Sequence, residues 1–429
     1  MSVSSVSLCG CCEQQQRHHT DTEDTKIAQR RGILRFRMST PDPNLQNLAA
    51  APTIVIRTSP QISAIRLILA LIAILIALFL GLLVLLVIGI ETGPVALMLG
   101  FVTATLPVPI YVALVLWIDR YEAEPLWMLA TAFFWGALIA TFFAFLLNTT
   151  SAGIVYSVTA SRTGSEAFAA VISAPIVEEI GKAVILFIFF FWRKEEFDGV
   201  IDGIVYASMS ALGFAMTENI LYYGKAAAEG GGGALTLVVI LRGFFAPFSH
   251  PLFTSLTGIG LGLARQSNNI PVKFITPVVG LLTAIFMHSI WNGSAVFGGG
   301  GVFVLTYLIV MVPAFIILLV VIALALRREG QVVREFLVID LQSGVLTQEE
   351  YNQLGSILGR MGSSFNALSR TGMKGWRARR RFNQLASELA FHRSRVARGV
   401  HSTTQDVLAQ EAAYLYALQT LINELRGVK

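Results

Sequence analysis

Charge is scarce in this sequence. Asp, Glu, Lys and Arg make up 14% of its 429 residues, where a soluble domain carries about 25%. With 54% hydrophobic residues, that shortage excludes an ordinary soluble globular protein and implies a polytopic membrane protein. Cysteine is nearly absent. Cys9, Cys11 and Cys12 are the full complement, so no disulfide framework or Cys-based metal site can hold the body together. A palmitoylated N-terminal cluster is one reading of them, and an exposed, reduced cluster is the plainer one. The net charge of +5 is placed unevenly. From Arg327 onward there are 15 basic residues against 9 acidic, and before it 17 against 18.

What is abundant is apolar sequence. Eight runs, near 62–90, 95–118, 126–148, 166–192, 199–224, 235–263, 272–296 and 301–326, are each long enough to cross a hydrocarbon core of about 30 Å. The expected fold is an all-α bundle of about eight membrane spans. Gly213, Gly243, Gly258, Gly260 and Gly262 fall where backbones would approach closely. Residues 1–61 are polar and proline-spotted, and read as a disordered cytoplasmic leader rather than a secretory signal. Residues 327–429 read as a basic, helical cytoplasmic tail. Within it, Thr347 to Glu350 forms a capping-box entry, the run Trp376 to Phe382 lies on a second helix, and about 403–425 forms a third. The bland reading of the basic run is a solvated helix face; the sharper one is contact with anionic lipid. No nucleic-acid module accompanies it. With the N-terminus inside, the inner loops hold Arg120, Arg193, Lys194, Arg265 and Lys273, and the outer ones Arg162 and Lys225. The positive-inside rule therefore places both termini in the cytoplasm of a multi-pass cell-membrane protein.

The organising stretch is Ser173 to Lys182, where Glu178, Glu179 and Lys182 interrupt a membrane helix. Each such charge costs at least about 2.5–3.5 kcal/mol in lipid, so the three must face a polar interior. Glu178 and Lys182 share a helix face at i, i+4, while Glu179 points about 100° away. Glu218, His250, His288 and Asn292 fall at comparable depths on the following spans, between about 20 and 30 Å from the inner end together with Glu178 and Glu179. Asp202 is expected near the inner surface and Arg242 near the outer one, both apart from this layer. A single buried histidine is more often a packing residue than a ligand, but convergence at one depth favours a site. Glu and His around a wet cavity have the composition of a hydrolytic centre. Two His with one carboxylate also form a zinc ligand set with an open position, assembled here from separate helices because no HExxH is present.

These residues resemble the PrsW family of intramembrane proteases, relatives of the CAAX prenyl protease/Abi group. The likeness rests on Glu178-Glu179-Ile180-Gly181-Lys182, on Phe214-Ala215-Met216-Thr217-Glu218, on the span around Ser249-His250-Pro251, and on His288-Ser289-Ile290-Trp291-Asn292. The loop Asp119-Arg120-Tyr121-Glu122-Ala123-Glu124-Pro125 belongs to the same pattern, although an interfacial anchor and helix start explain it as well. The related prenyl proteases carry His where Glu218 stands here. The resemblance spans about residues 100–326. It implies cleavage of a peptide bond in a membrane protein, single-span or anti-sigma-factor-like, by a metal-dependent or a glutamate-dependent route. It implies Glu178 or Glu179 as general base, with Glu218, His250 and His288 as metal (zinc) ligands or water-positioning groups. Asn292 would hold the oxyanion and Lys182 would balance the carboxylates. The competing reading is an ion- or proton-coupled transporter using the same Glu/His cluster, and a third is a silent scaffold acting through its tail.

Overall fold

The computed structural model describes residues 64–399 and 404–427. The expected leader and its cysteines lie outside the described residues. Among those described there is no strand, and the protein is a polytopic all-α bundle. Helix α1 is Ala64–Thr92, α2 Pro94–Thr105 and α3 Val108–Ile118. Helix α4 runs Leu126–Thr159, with a π turn at Trp135–Ala140. Helix α5 comprises Arg162–Phe168, a π turn at Ala169–Ser173, and Ala174–Trp192. Helix α6 is Val200–Val239 and ends in a π turn at Ile240–Phe245; α7 is Ser249–Gln266 and α8 Ile270–Phe297. Helix α9 runs Gly299–Gln342, followed by α10 Gln348–Leu354, α11 Ile357–Ala397 and α12 Thr404–Arg426.

Among the described residues, six helical stretches are long and apolar enough to cross a membrane. One of them, Val200–Gln266, spans two of the eight sequence runs, because Gly231 adopts φ 63° and folds α6 back on itself. The run on α5 is a helix too, but its three charges exclude it from a count made on apolarity. All eight runs carry helix, but 95–118 is interrupted at 106–107 and 235–263 at 246–248; the outward side chains, such as Leu82, Leu86, Ile275 and Phe286, are apolar and exposed.

Close backbone contacts set the position of the polar layer. A Cβ on Gly203 or on Gly258 would sit 2.1 Å from the other's carbonyl oxygen, so α6 and α7 pack backbone to backbone and antiparallel. Gly213 meets α4 in the same way, and Gly260 and Gly262 also abut backbone, whereas Gly243 meets only side chains.

Helix α9 continues to Gln342, well past the end of the apolar run. The tail begins with the capping box: Thr347 Oγ1 accepts from the Glu350 amide (3.2 Å) while Glu350 Oε2 accepts from the Thr347 amide (3.0 Å). Helix α11 bends at Gly372 (φ 68°). Its second half buries Phe382, Ala386 and Leu389 against the bundle's core, which includes Tyr121 and Leu337. Arg393 clamps α11 to Asp340 at 2.5 and 3.2 Å.

Candidate active site

The site begins where α5 is least regular. Pro175, in the first turn after the π turn, contributes no amide hydrogen. The π turn exposes a carbonyl that needs another donor. Asn292 Nδ2 supplies it, donating to the Ala170 oxygen at 2.9 Å. One turn further along, Glu178, Glu179 and Lys182 are all buried.

Glu179 is saturated. Its Oε1 accepts from Lys182 Nζ at 2.6 Å and from His288 Nδ1 at 3.0 Å, and its Oε2 from Thr254 Oγ1 at 2.8 Å. An ionised carboxylate only accepts, so His288 carries its proton on Nδ1 and turns a bare Nε2 toward Glu178, 3.9 Å from Oε2. Lys182 Nζ also lies 3.1 Å from His250 Nδ1, 3.8 Å from Glu178 Oε2 and 4.4 Å above the Phe214 ring. His250 is thereby engaged at both nitrogens, its Nε2 standing 2.8 Å from Glu218 Oε2.

Glu178 is the exception. Its Oε2 is buried and has no hydrogen-bond partner. A carboxylate oxygen is rarely buried unpaired, so this one is free for water, substrate or a cation. Glu178, His250 and His288 each offer a ligand atom within 4.8 Å of the others. The orphaned oxygen and the bare His288 Nε2 fit a divalent cation as they stand. His250 would exchange its contact with Lys182 or Glu218 for it.

The expected residues thus meet in part. Glu178, Glu179, Lys182, His250, His288 and Glu218 form one connected group on α5 to α8. Asn292 stands aside with its amide committed to Ala170. Arg242, placed near the outer surface by the sequence, is instead part of the group: Nη2 reaches Glu218 Oε2 at 2.5 Å and Nε reaches Asn219 Oδ1 at 2.7 Å. The cause is the fold at Gly231, midway between Glu218 and Arg242, which brings the two level instead of leaving a loop between spans. Thr254 was also missed; its signal was that it stands one helical turn after His250 on a buried face. Asp202 stays apart as expected, its Oδ2 accepting the amides of Asp198 and Gly199 at the start of α6.

The family model that matches residues 124–318, and so every residue of this group, is that of the PrsW family intramembrane metalloproteases. Protease PrsW of Oceanobacillus iheyensis is 34% identical over 169 residues, covering 39% of this chain and 70% of that protein. The chain belongs to the PrsW family. Protease PrsW of Geobacillus kaustophilus is 36% identical over 148 residues, 34% of this chain and 58% of that protein. Protease PrsW of Bacillus subtilis is 29% identical over 178 residues, 41% of this chain and 72% of that protein. No solved structure matches. As a PrsW-family member the chain is a multi-pass membrane protease, acting on membrane proteins. Its family is described as metalloproteases, and the Glu178, His250 and His288 trio could hold the ion.

Proposed function

We propose that the protein cleaves a peptide bond of a single-span, anti-sigma-factor-like membrane protein with Glu178 as general base toward water. The observation that supports this is the contrast between two neighbouring carboxylates. Glu179 is held by three donors, whereas Glu178 presents an unpaired buried oxygen. Glu179 then acts as a positioning residue, fixing the His288 tautomer and the Lys182 ammonium. His288 Nε2 faces the same space as Glu178 Oε2 and can orient the water between them. Lys182 offsets the charge of the paired carboxylates. The oxyanion role expected of Asn292 would require release of its bond to Ala170.

On the metal-dependent route Glu178 would instead serve as a ligand, holding a zinc ion together with His250 and His288, with Glu218 next to His250. When bound, zinc would supply an acidified water and polarise the scissile carbonyl. Both termini would lie in the cytoplasm of a cell-membrane protein, with 62–326 as the catalytic domain and 327–429 as the tail. No observation favours the transporter reading.

Co-expression with a single-span substrate tests the assignment. Glu178→Gln and His288→Ala should each lower cleavage on the order of 10²–10⁴-fold, while the enzyme remains folded. Full cleavage in both would overturn it. Metal analysis of the purified protein separates the two routes: bound zinc lost in Glu178→Ala supports the metal-dependent one, and a zinc-free protein that is active in chelator rejects it.

A further inference from the structure

At the tail-side end of the bundle, a cavity of about 520 Å³ opens between the end of α3 and helix α11. Arg120, Arg360 and Arg380 line it, together with Trp117 and Trp376. Each guanidinium lies over an aromatic ring: Arg120 over Trp117 at 4.5 Å, Arg360 over Tyr121 at 4.8 Å and Arg380 over Trp376 at 4.8 Å. Among the described residues, none of the three forms an ion pair with a carboxylate. Arg120 donates from Nε to the Trp117 carbonyl, and Arg360 donates to Ser387 Oγ and to the Asn383 carbonyl. Burial lowers the pKa of Arg120, and the neighbouring Arg380 lowers it further; burial also lowers that of Arg360, with Tyr121 and Glu329 pulling it back up and Arg120 adding a smaller push down. Arg120 thus repels both of the other cations, and among the described residues no carboxylate forms an ion pair with any of the three to repay the cost of gathering them.

The height of this hollow is informative. The spanning stretch that contains α3 ends at Ile118, so Arg120 and Trp117 lie where the helix leaves the hydrocarbon, the level at which indole and guanidinium side chains settle. A second hollow, of about 340 Å³, runs between α3 and α4 from Leu116 toward Val108 and is lined entirely by apolar side chains such as Val112, Leu129 and Phe133. Leu116 lines both hollows. A cationic pocket at the surface that adjoins an apolar groove within the membrane matches an amphipathic anion: a phosphate head carrying an acyl chain. Asp119 is the one carboxylate on the pocket wall. Its Oδ2 is occupied by the Glu124 amide at 2.7 Å, and burial pushes its pKa up to about 7, which weakens its opposition to an anion.

We propose that this pair of hollows is a binding site for an anionic membrane phospholipid, its phosphate held by Arg120, Arg360 and Arg380 and an acyl chain laid in the groove between α3 and α4. The lipid would join the tail helix α11 to the bundle, so the basic run that begins at Trp376 serves as one wall of a headgroup site rather than as a solvated face. Neither the catalytic group nor its metal takes part.

The test counts phospholipid retained by the purified full-length protein, using native mass spectrometry after equilibration with phosphatidylglycerol or phosphatidylcholine. The wild-type protein should retain phosphatidylglycerol in preference. Arg120→Gln/Arg380→Gln should lower that retention on the order of tenfold. Arg327→Gln/Arg328→Gln, an equal loss of charge on exposed positions of α9, should leave it unchanged. Equal loss in both double variants would mean diffuse charge attraction and would overturn the site, as would undiminished retention in the first. Inorganic phosphate at millimolar concentration should not displace the lipid; full displacement would reassign the pocket to a soluble phosphate. If the double variant does not fold, Arg380→Gln alone, on an exposed side chain, carries the same expectation in smaller measure.

Discussion

Within the membrane layer every charge but one has a close partner, whereas in the acidic cluster at the starts of α4 and α6 the carboxylates outnumber the arginines paired with them. Glu179, Lys182, His288 and Thr254 form a closed set of contacts between 2.6 and 3.0 Å, and Glu218 is held by both Arg242 and His250. At the tail side, Asp119, Glu122, Glu124, Asp198 and Asp202 lie around the start of α4 and of α6. Arg395 reaches Glu122 at 2.5 Å and Asp198 at 3.7 Å, and Arg398 reaches Asp198 at 2.9 Å. The difference follows from the solvent each group competes with. Lipid offers no partner at all, so charges there must satisfy one another inside the protein. Near water, a carboxylate can also take a proton, and burial raises the pKa of Asp119 and Glu124 accordingly. The unpaired Glu178 oxygen therefore carries more meaning than any acid at the tail side.

Removing one partner is the strongest way to break this contrast. Lys182→Met should cost about 3–5 kcal/mol, because it leaves Glu179 and Glu178 buried without their cation. The measurement is the unfolding midpoint in detergent. A variant as stable as wild type would mean that the layer is wetter than its contacts indicate. At the tail side, Arg395→Ala should cost only about 1 kcal/mol, since its partner Glu122 is partly solvated and can protonate. Faster proteolysis of the tail, with the bundle's midpoint unchanged, is the expected readout. A loss as large as that of Lys182→Met would erase the distinction between the two regions.

Much of this was legible in the sequence because charge in an apolar run has to be explained. Glu178, Glu179, Lys182, His250 and His288 stood out on that ground alone, and continuous apolarity marked the helices that carry them. Thr347 and Glu350 announced their own capping box, since its geometry is local. Arg242 counts to about 32 Å from the inner end and Glu218 to about 28 Å, close enough to meet, but depth alone does not reveal the ion pair between them. Asn292 shares a face with His288, but spacing along one helix does not reveal that a π turn on another helix needs its amide. That Glu178, rather than the expected Glu218, groups with His250 and His288 as a trio that could hold a metal was hidden for a related reason. Which oxygen is left unpaired depends on every neighbour at once. The tail-side acids come from loops about 80 residues apart, and no local pattern joins them.

The mildest expected effect sharpens the comparison through pH. Asp119 has an ordinary value of 3.8, and burial lifts it to about 7, against the Glu124 amide that pulls it down and with Asp202 pushing it further up. Glu124 is raised too, first by burial and then by Asp202 and Asp119. The folded state thus holds these protons more tightly than the unfolded chain does, so its stability falls as pH rises from about 4 through about 7. The slope for one such group cannot exceed about 1.4 kcal/mol per pH unit, and an effect confined to the docking of the tail should be smaller. Amide exchange at residues 119–124 and along α11 should therefore speed up between pH 5 and pH 8 beyond its intrinsic pH dependence. In Asp119→Asn that extra dependence should weaken, because one of the titrating groups is gone while a neutral amide remains in its place and Glu124 still titrates. Protection that stayed constant in the wild-type chain would show that these acids are ionised in the folded state. The tail-side cluster would then be balanced by ion pairs, as the membrane layer is.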